Sequence, residues 1–172
     1  VVIMNPPYGG SEKKTVQGNF PKDLRSSETA DLFMSVIMYR LKENGRAAVI
    51  LPDGFLFGTD NIKVSIKKKL LNEFNLHTVI RLPGSVFAPY TGITTNILFF
   101  DKSSEGTKQT WFYRVDMPEG YKHFSKTKPM KLEHFDDCVS WWDDKQSIEI
   151  DGFDKARLYT IDEIKDNNYN LD

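Results

Sequence analysis

The sequence has a single cysteine, Cys138, among 172 residues, which excludes an internal disulfide and fits a reducing compartment. Its three histidines, His77, His123 and His134, are scattered. With no Cys/His spacing of the metal-ligand kind, no metal site is expected. Long apolar runs are also lacking. The longest, VVIM at the start and AAVIL at 47–51, fall far short of the ~20 residues a membrane-spanning helix needs. No basic segment precedes Val1, so no signal peptide is visible. There is no initiator Met either, and the chain reads as a piece of something longer. Positive charge is not in excess: 23 basic residues face 24 acidic ones, for a net charge of −1. A protein that grips duplex DNA alone usually carries a basic face. Composition thus gives no support for independent DNA binding and is compatible with a partner supplying most phosphate contacts. Finally, no Gly-x-Gly occurs anywhere, so the usual glycine-rich dinucleotide loop is missing.

What is present is ordinary globular material, 40% hydrophobic and 27% charged, long enough to bury a core. VVIM followed by Asn-Pro-Pro reads as a buried strand stopped by proline. Residues 9–25 form a long polar loop carrying Lys13, Lys14, Lys22 and Arg25, placed to touch DNA or a partner. A helix capped by Ser26 or Ser27 follows, with Ala30, Phe33, Met34, Ile37, Met38 and Leu41 on one face and Asn44-Gly45 ending it. RAAVIL (46–51) is a second strand. Asp60 or Thr59 caps a second helix, on which Ile62, Ile66, Leu70 and Phe74 repeat every four residues. Lys63, Lys67, Lys68 and Lys69 lie off that line and read as a solvated face rather than a phosphate contact. HTVIRLP (77–83), TTNILFF (94–100) and WFYRV (111–115) supply three more strands. Phe135, Cys138, Val139 and Trp142 share the face of a short helix. Of Trp141 and Trp142, one ring is expected in the core and the other exposed. Residues 143–152 look like an acidic linker, and Tyr159 to Lys165 a last helix or turn. Alternating strands and helices imply right-handed crossovers and a mostly parallel α/β sheet. In such sheets ligands sit beyond the carboxyl ends of the strands.

Asn5-Pro6-Pro7-Tyr8 lies at such an end. Asn-Pro is also a frequent turn signal, so the bland reading is a strand-ending turn with an exposed ring. The chemical reading concerns an aromatic amine, whose lone pair is delocalised into its ring and which is therefore a poor nucleophile. An Asn side-chain oxygen and a backbone carbonyl can accept its two hydrogens. Those bonds strengthen as the nitrogen becomes pyramidal, so they favour the transition state. Proline holds such a carbonyl on a backbone of fixed φ. A base taking part must leave the duplex, and an aromatic such as Tyr8 can hold it by stacking.

The tetrapeptide resembles the catalytic motif of amino-methyltransferases. Together with ETADLFM (28–34), GRAAVILPDGFLFG (45–58), GSVFAPYTGITTNILFFD (84–101), EGYKHFSKTKPM (119–130) and NNYNL (167–171), it makes the whole chain resemble the modification subunit of a type I restriction-modification system, an N6-adenine DNA methyltransferase. The resemblance implies the C-terminal half of a Rossmann-like methyltransferase sheet, its fourth to seventh strands, with the last inserted antiparallel. The first strand's outer edge would then be apolar and unpaired, which favours self-association. It implies a catalytic domain part at 1–115 and a C-terminal extension at 116–172. It further implies S-adenosylmethionine as methyl donor, DNA as substrate, and a cytoplasmic prokaryotic complex with a specificity subunit, a second modification subunit and a restriction subunit. Asn5, Pro6, Pro7 and Tyr8 would be catalytic. Asn5 and Phe33 would touch the donor, although the helical spacing of Phe33 equally suits a core residue. Tyr8 and Phe87 would hold the extruded base. Thr94 departs from the family, where many members have lysine. The family's donor-binding glycine loop and its ribose-binding acid precede the Asn-Pro-Pro-Tyr strand, so this chain alone is expected to be inactive. Two other readings are a non-catalytic scaffold fragment and a fragment of a protein-glutamine methyltransferase.

Overall fold

The computed structural model describes residues 1–103 and 105–172. Strands β1 (Val2–Met4), β2 (Arg46–Pro52), β3 (Asn75–Arg81), β4 (Thr95–Asp101), β5 (Gln109–Arg114), β6 (Ile148–Ile150) and β7 (Phe153–Thr160) form one sheet in the order β1-β2-β4-β3-β5-β7-β6. Strand β1 runs parallel to β2, and β3 parallel to β5, while β4 is antiparallel to both its neighbours. The β1-β2-β4-β3 portion is thus the expected half-sheet with one reversed strand inserted. A second reversed strand, β7, lies between β5 and β6 and was not expected. It shows in FDKARLYT only weakly because just one of its eight residues, Ala156, is buried. Residues 143–152 are accordingly not simply a linker, since β6 lies within them. The last helix, Ile161–Asp166, is capped by Thr160, which accepts from the Glu163 N–H while Glu163 reaches back.

On one face of the sheet pack α2 (Thr29–Arg40) and α4 (Asn61–Glu73), preceded by the short helices α1 (Lys14–Gln17) and α3 (Asp53–Phe57) respectively. Met34, Ile37 and Met38 from α2 and Ile66 and Leu70 from α4 meet Val49, Leu51, Leu98 and Phe100 from the strands. Asp60 caps α4 as expected, accepting from the Ile62 and Lys63 N–H groups, a device that contributes about 1 kcal/mol. Helix α2 begins instead after Glu28, without a side-chain cap. Ser26 accepts from the Glu28 N–H and donates to Asp31. The helix stops at Arg40 rather than at Asn44-Gly45, and Asn44 takes a left-handed φ of 59° in the turn to β2. The other face is covered over β3 and β5 by α5 (Asp136–Asp143). Its buried residues are Cys138 and Trp141, and Val139 is exposed. Trp142 is half-buried rather than exposed, its ring 4.8 Å from that of Phe99.

The lysine row on α4 is solvated only in part: Lys68 is exposed and Lys69 partly so, but Lys63 and Lys67 are not. Lys63 is buried and paired with Glu28 and Asp31 at 2.6 and 3.0 Å. Lys67 is fully buried and donates to the carbonyls of Leu56 and Gly58, each at 2.8 Å. Burial lowers the Lys67 pKa to about 8. In the unfolded chain the same group stays protonated to the usual ~10.4. Between those values the unfolded state binds the extra proton, so stability gains as pH rises through that window. The penalty relieved is about 3 kcal/mol. We expect urea unfolding to show this gain between pH 7 and pH 10 against a Lys67→Met reference, whose own pH dependence lacks it. Equal slopes for the two proteins would contradict a buried ammonium.

Candidate active site

Strand β1 delivers Asn5 to Tyr8 to the carboxyl end of the sheet. Asn5 and Pro7 are exposed, Pro6 is buried and Tyr8 is half-buried. Burial raises the pKa of the Tyr8 hydroxyl, and the neighbouring Asn5 side chain acts the other way. Gly9 then turns the chain with a left-handed φ of 81°. Gly10 runs so close to Thr29 that a Cβ would lie 2.7 Å from its hydroxyl oxygen. The Gly10 carbonyl accepts from the Thr29 N–H, Ser11 bridges to Glu28, and the Glu12 N–H donates to Ser27. These bonds close the base of the polar loop, which contains α1, and fasten the residues after Tyr8 to the start of α2. Among the loop's cations, Arg25 donates to the carbonyls of Phe20 and Gly18 and so holds the loop's own backbone.

The loop after β3 carries Phe87 to the same place. Its ring centre lies 6.2 Å from that of Tyr8, with the planes tilted by 58°. Two residues 79 positions apart in sequence are thereby brought together as a half-buried aromatic pair. Phe33 is half-buried on α2, and the ring paired with Tyr8 is that of Phe87. Thr94 accepts the Asp53 N–H on its carbonyl at 3.1 Å.

One cluster at this end was not singled out in the sequence. Asp53 accepts from Asn96 at 2.6 Å and pairs with Arg81 at 2.7 Å, and Arg81 also pairs with Asp172. It ties together the carboxyl ends of β2 and β3 and the start of β4. Locally the sequence offers only that Asp53 follows a strand ending in proline; Arg81 and Asn96 come from distant strand ends. A cavity of about 450 Å³ beside it, lined by Arg81, Asn96, Phe112, Arg157 and Tyr159, does not include Asn5 or Tyr8. Among the described residues, no group of three or more His, Cys, Asp or Glu side chains is placed to hold a metal. Among the described residues, none of the helices is long and apolar enough to cross a membrane.

An α/β sheet with the reversed strand β4 between β2 and β3 and a polar-proline-aromatic turn after β1 presents that turn where ligands bind in such sheets, beyond the strands' carboxyl ends. The comparisons with known proteins are specific. A sequence profile of the N-6 DNA methylase family matches residues 1–172, and the chain belongs to that family. It is 50% identical over 176 aligned positions to the type I restriction enzyme EcoEI methylase subunit of Escherichia coli, covering 100% of this chain and 35% of that protein. A solved chain of a type I restriction-modification system, 35% identical, superposes with a TM-score of 0.87 over 99% of this chain and 36% of its own. The methyltransferase subunit of a type I system from Streptococcus thermophilus, 28% identical, gives 0.74 over 99% and 36%. The chain thus spans about a third of the length of these relatives.

Proposed function

We propose that the protein to which this chain belongs transfers a methyl group from S-adenosylmethionine to the N6 amine of adenine in DNA, as the modification subunit of a type I restriction-modification complex. In that complex a specificity subunit, a second modification subunit and a restriction subunit are its partners. The observation that carries the reading is the pairing of Tyr8 with Phe87 directly beside Asn5. An extruded adenine held by such rings places its amine against the Asn5 side chain and the Pro6 carbonyl. Asn5 Oδ1 is a side-chain acceptor of the kind the amine needs. The donor supplies an electrophilic methyl group when bound, and the transfer is an in-line displacement governed by positioning.

The residues present do not make a complete donor site. No Gly-x-Gly exists in the chain, and Gly9-Gly10 is committed to the turn beside Thr29. Asn5 and Phe33 are the residues offered to the donor. The outer edge of β1, whose Ile3 is 84% exposed, is where the donor-binding half of the sheet would pair. We therefore expect this segment alone to be inactive. The test is methylation of duplex by the full-length protein with its specificity subunit, followed by nucleoside analysis. N6-methyladenine in the product is the expected result. Methylated protein glutamine with unmodified DNA would replace this reading with that of a protein methyltransferase.

A further inference from the structure

Charge is nearly balanced over the whole chain, yet it is segregated locally. Residues 117–131 (MPEGYKHFSKTKPMK) hold four lysines and one acid, Glu119. The segment is tightly built. Ser125 and Lys128 exchange N–H···O bonds of 3.0 and 3.1 Å across a closed turn. Phe124 is buried to 1% exposure and anchors it. Tyr121, Phe124 and His134 pack edge and face about one another at 5.4 to 5.6 Å. Lys128 lies over the Tyr121 ring at 4.1 Å. Lys131 is neutralised by Glu133, but among the described residues no acid pairs with Lys122, Lys126 or Lys128, and all three are exposed. The Tyr121 ring engages Lys128 within the turn, but among the described residues Lys122 and Lys126 have neither an acid nor a ring beside them, so folding draws nothing from their charge.

The turn is also hooked to the candidate active site. The Phe124 N–H donates to the Ser85 hydroxyl at 2.8 Å, and that hydroxyl donates to the Gly84 carbonyl at 2.6 Å. Ser85 takes a left-handed φ of 61° and stands two residues before Phe87, whose ring faces Tyr8. The basic turn and the aromatic pair are thus carried on one hydrogen-bonded unit.

We propose that the 117–131 turn is a phosphate-binding arm, in which Lys122, Lys126 and Lys128 grip the DNA backbone beside the extruded base. The proposal rests on the adenine-methylation reading and gives that site a second element. Lysine ammonium groups suit phosphate contacts that fix position without reading sequence. Sequence choice then stays with a partner, and the arm fixes where the strand lies relative to Tyr8 and Phe87. Through Ser85 and Phe124, strand grip and base pocket move together.

The experiment uses the full-length protein assembled with its specificity subunit. Duplex affinity is measured across a salt series for the parent and for Lys122→Ala/Lys126→Ala. Each lost phosphate contact removes about 0.9 from the slope of log affinity against log salt, so the double variant is expected to lose about 1.8. The loss in methylation should fall in KM for duplex rather than in kcat. Lys122→Arg/Lys126→Arg should restore the slope, and Lys122→Gln/Lys126→Gln should repeat the loss if the alanine protein is poorly folded. An unchanged slope with adenine methylation intact overturns the arm and leaves the functional reading standing. Weakened assembly with the specificity subunit, or weakened binding to anionic vesicles, at an unchanged slope would also overturn it. A parent that leaves adenine unmethylated but keeps the salt effect would sink the functional reading on which the arm rests.

Discussion

Replacing Asn5 by alanine in the full-length, assembled protein is expected to lower kcat for adenine methylation by about 10²–10³-fold, the usual cost of removing one hydrogen-bonding group aimed at the transition state. The amine must give up delocalisation to become a nucleophile, and the Asn5 oxygen rewards the pyramidal form more than the flat one. Its loss therefore falls on kcat rather than on affinity for the duplex. Folding should not be at issue, since Asn5 is exposed at the end of a three-residue strand and leaves no cavity when truncated. Steady-state kinetics with a duplex substrate and a thermal unfolding scan separate the two effects. An alanine protein with kcat within threefold of the parent would remove Asn5 from the chemistry. Asn5→Asp is informative beside it. That change keeps oxygen acceptors but replaces the neutral amide with a charge, and it should recover only part of the rate.

How much of this was visible beforehand follows the physics of each signal. The strand–proline junction at Asn5, the Asp60 cap and the four-residue apolar repeat on α4 are local, and they stand where the sequence puts them, although β1 is not the buried strand its apolar run suggests, since Ile3 is 84% exposed. The proximity of Phe87 to Tyr8 came from resemblance to a family, because nothing local links residues so far apart. What escaped was set by tertiary surroundings. A lysine off the apolar line of a helix normally reaches water. Lys63 and Lys67 instead meet Glu28, Asp31 and two carbonyls on neighbouring elements. Strand β7 escaped because a strand with one buried residue has no apolar alternation to read. The Val139 face of α5 failed by one position. Cys138 and Trp141, three residues apart, turn inwards together, while Val139 points to water. The Asp53–Arg81–Asn96 cluster has members from three strand ends, and no spacing in sequence encodes it.

Lys63→Met should destabilise the protein by about 3–5 kcal/mol, the range for breaking a buried ion pair by removing one partner. Asp31 is the reason. Its side chain is 1% exposed, its Oδ2 receives Lys63 and Ser26, and its Oδ1 is buried without a hydrogen-bond partner. Burial already pushes the Asp31 carboxyl above the usual range, offset by bonds from Ser26 and Lys63. Without the ammonium its pKa climbs further. A carboxyl that binds its proton more tightly when folded loses stability as pH rises through its folded pKa, so the deficit should shrink on acidification. The pairing with Glu28 matters less, since that carboxylate is 56% exposed and water screens it. The double variant Lys63→Met/Asp31→Leu removes both charges and should regain most of the loss, as apolar replacements of buried pairs do. Urea unfolding at pH 5 and pH 8 for the parent, single and double variants checks all of this. A single variant within 1 kcal/mol of the parent would mean that Asp31 is already neutral in the native protein. The pair also bears on the active site. Asp31 lies in the first turn of α2, and the residues just before it, Ser27 to Thr29, are bonded to Gly10, Ser11 and Glu12. Loosening that turn frees the loop that leaves Tyr8. A sub-denaturing loss of methylation in Lys63→Met, absent from the double variant, would therefore trace the effect from a buried charge on α4 to the ring that holds the base.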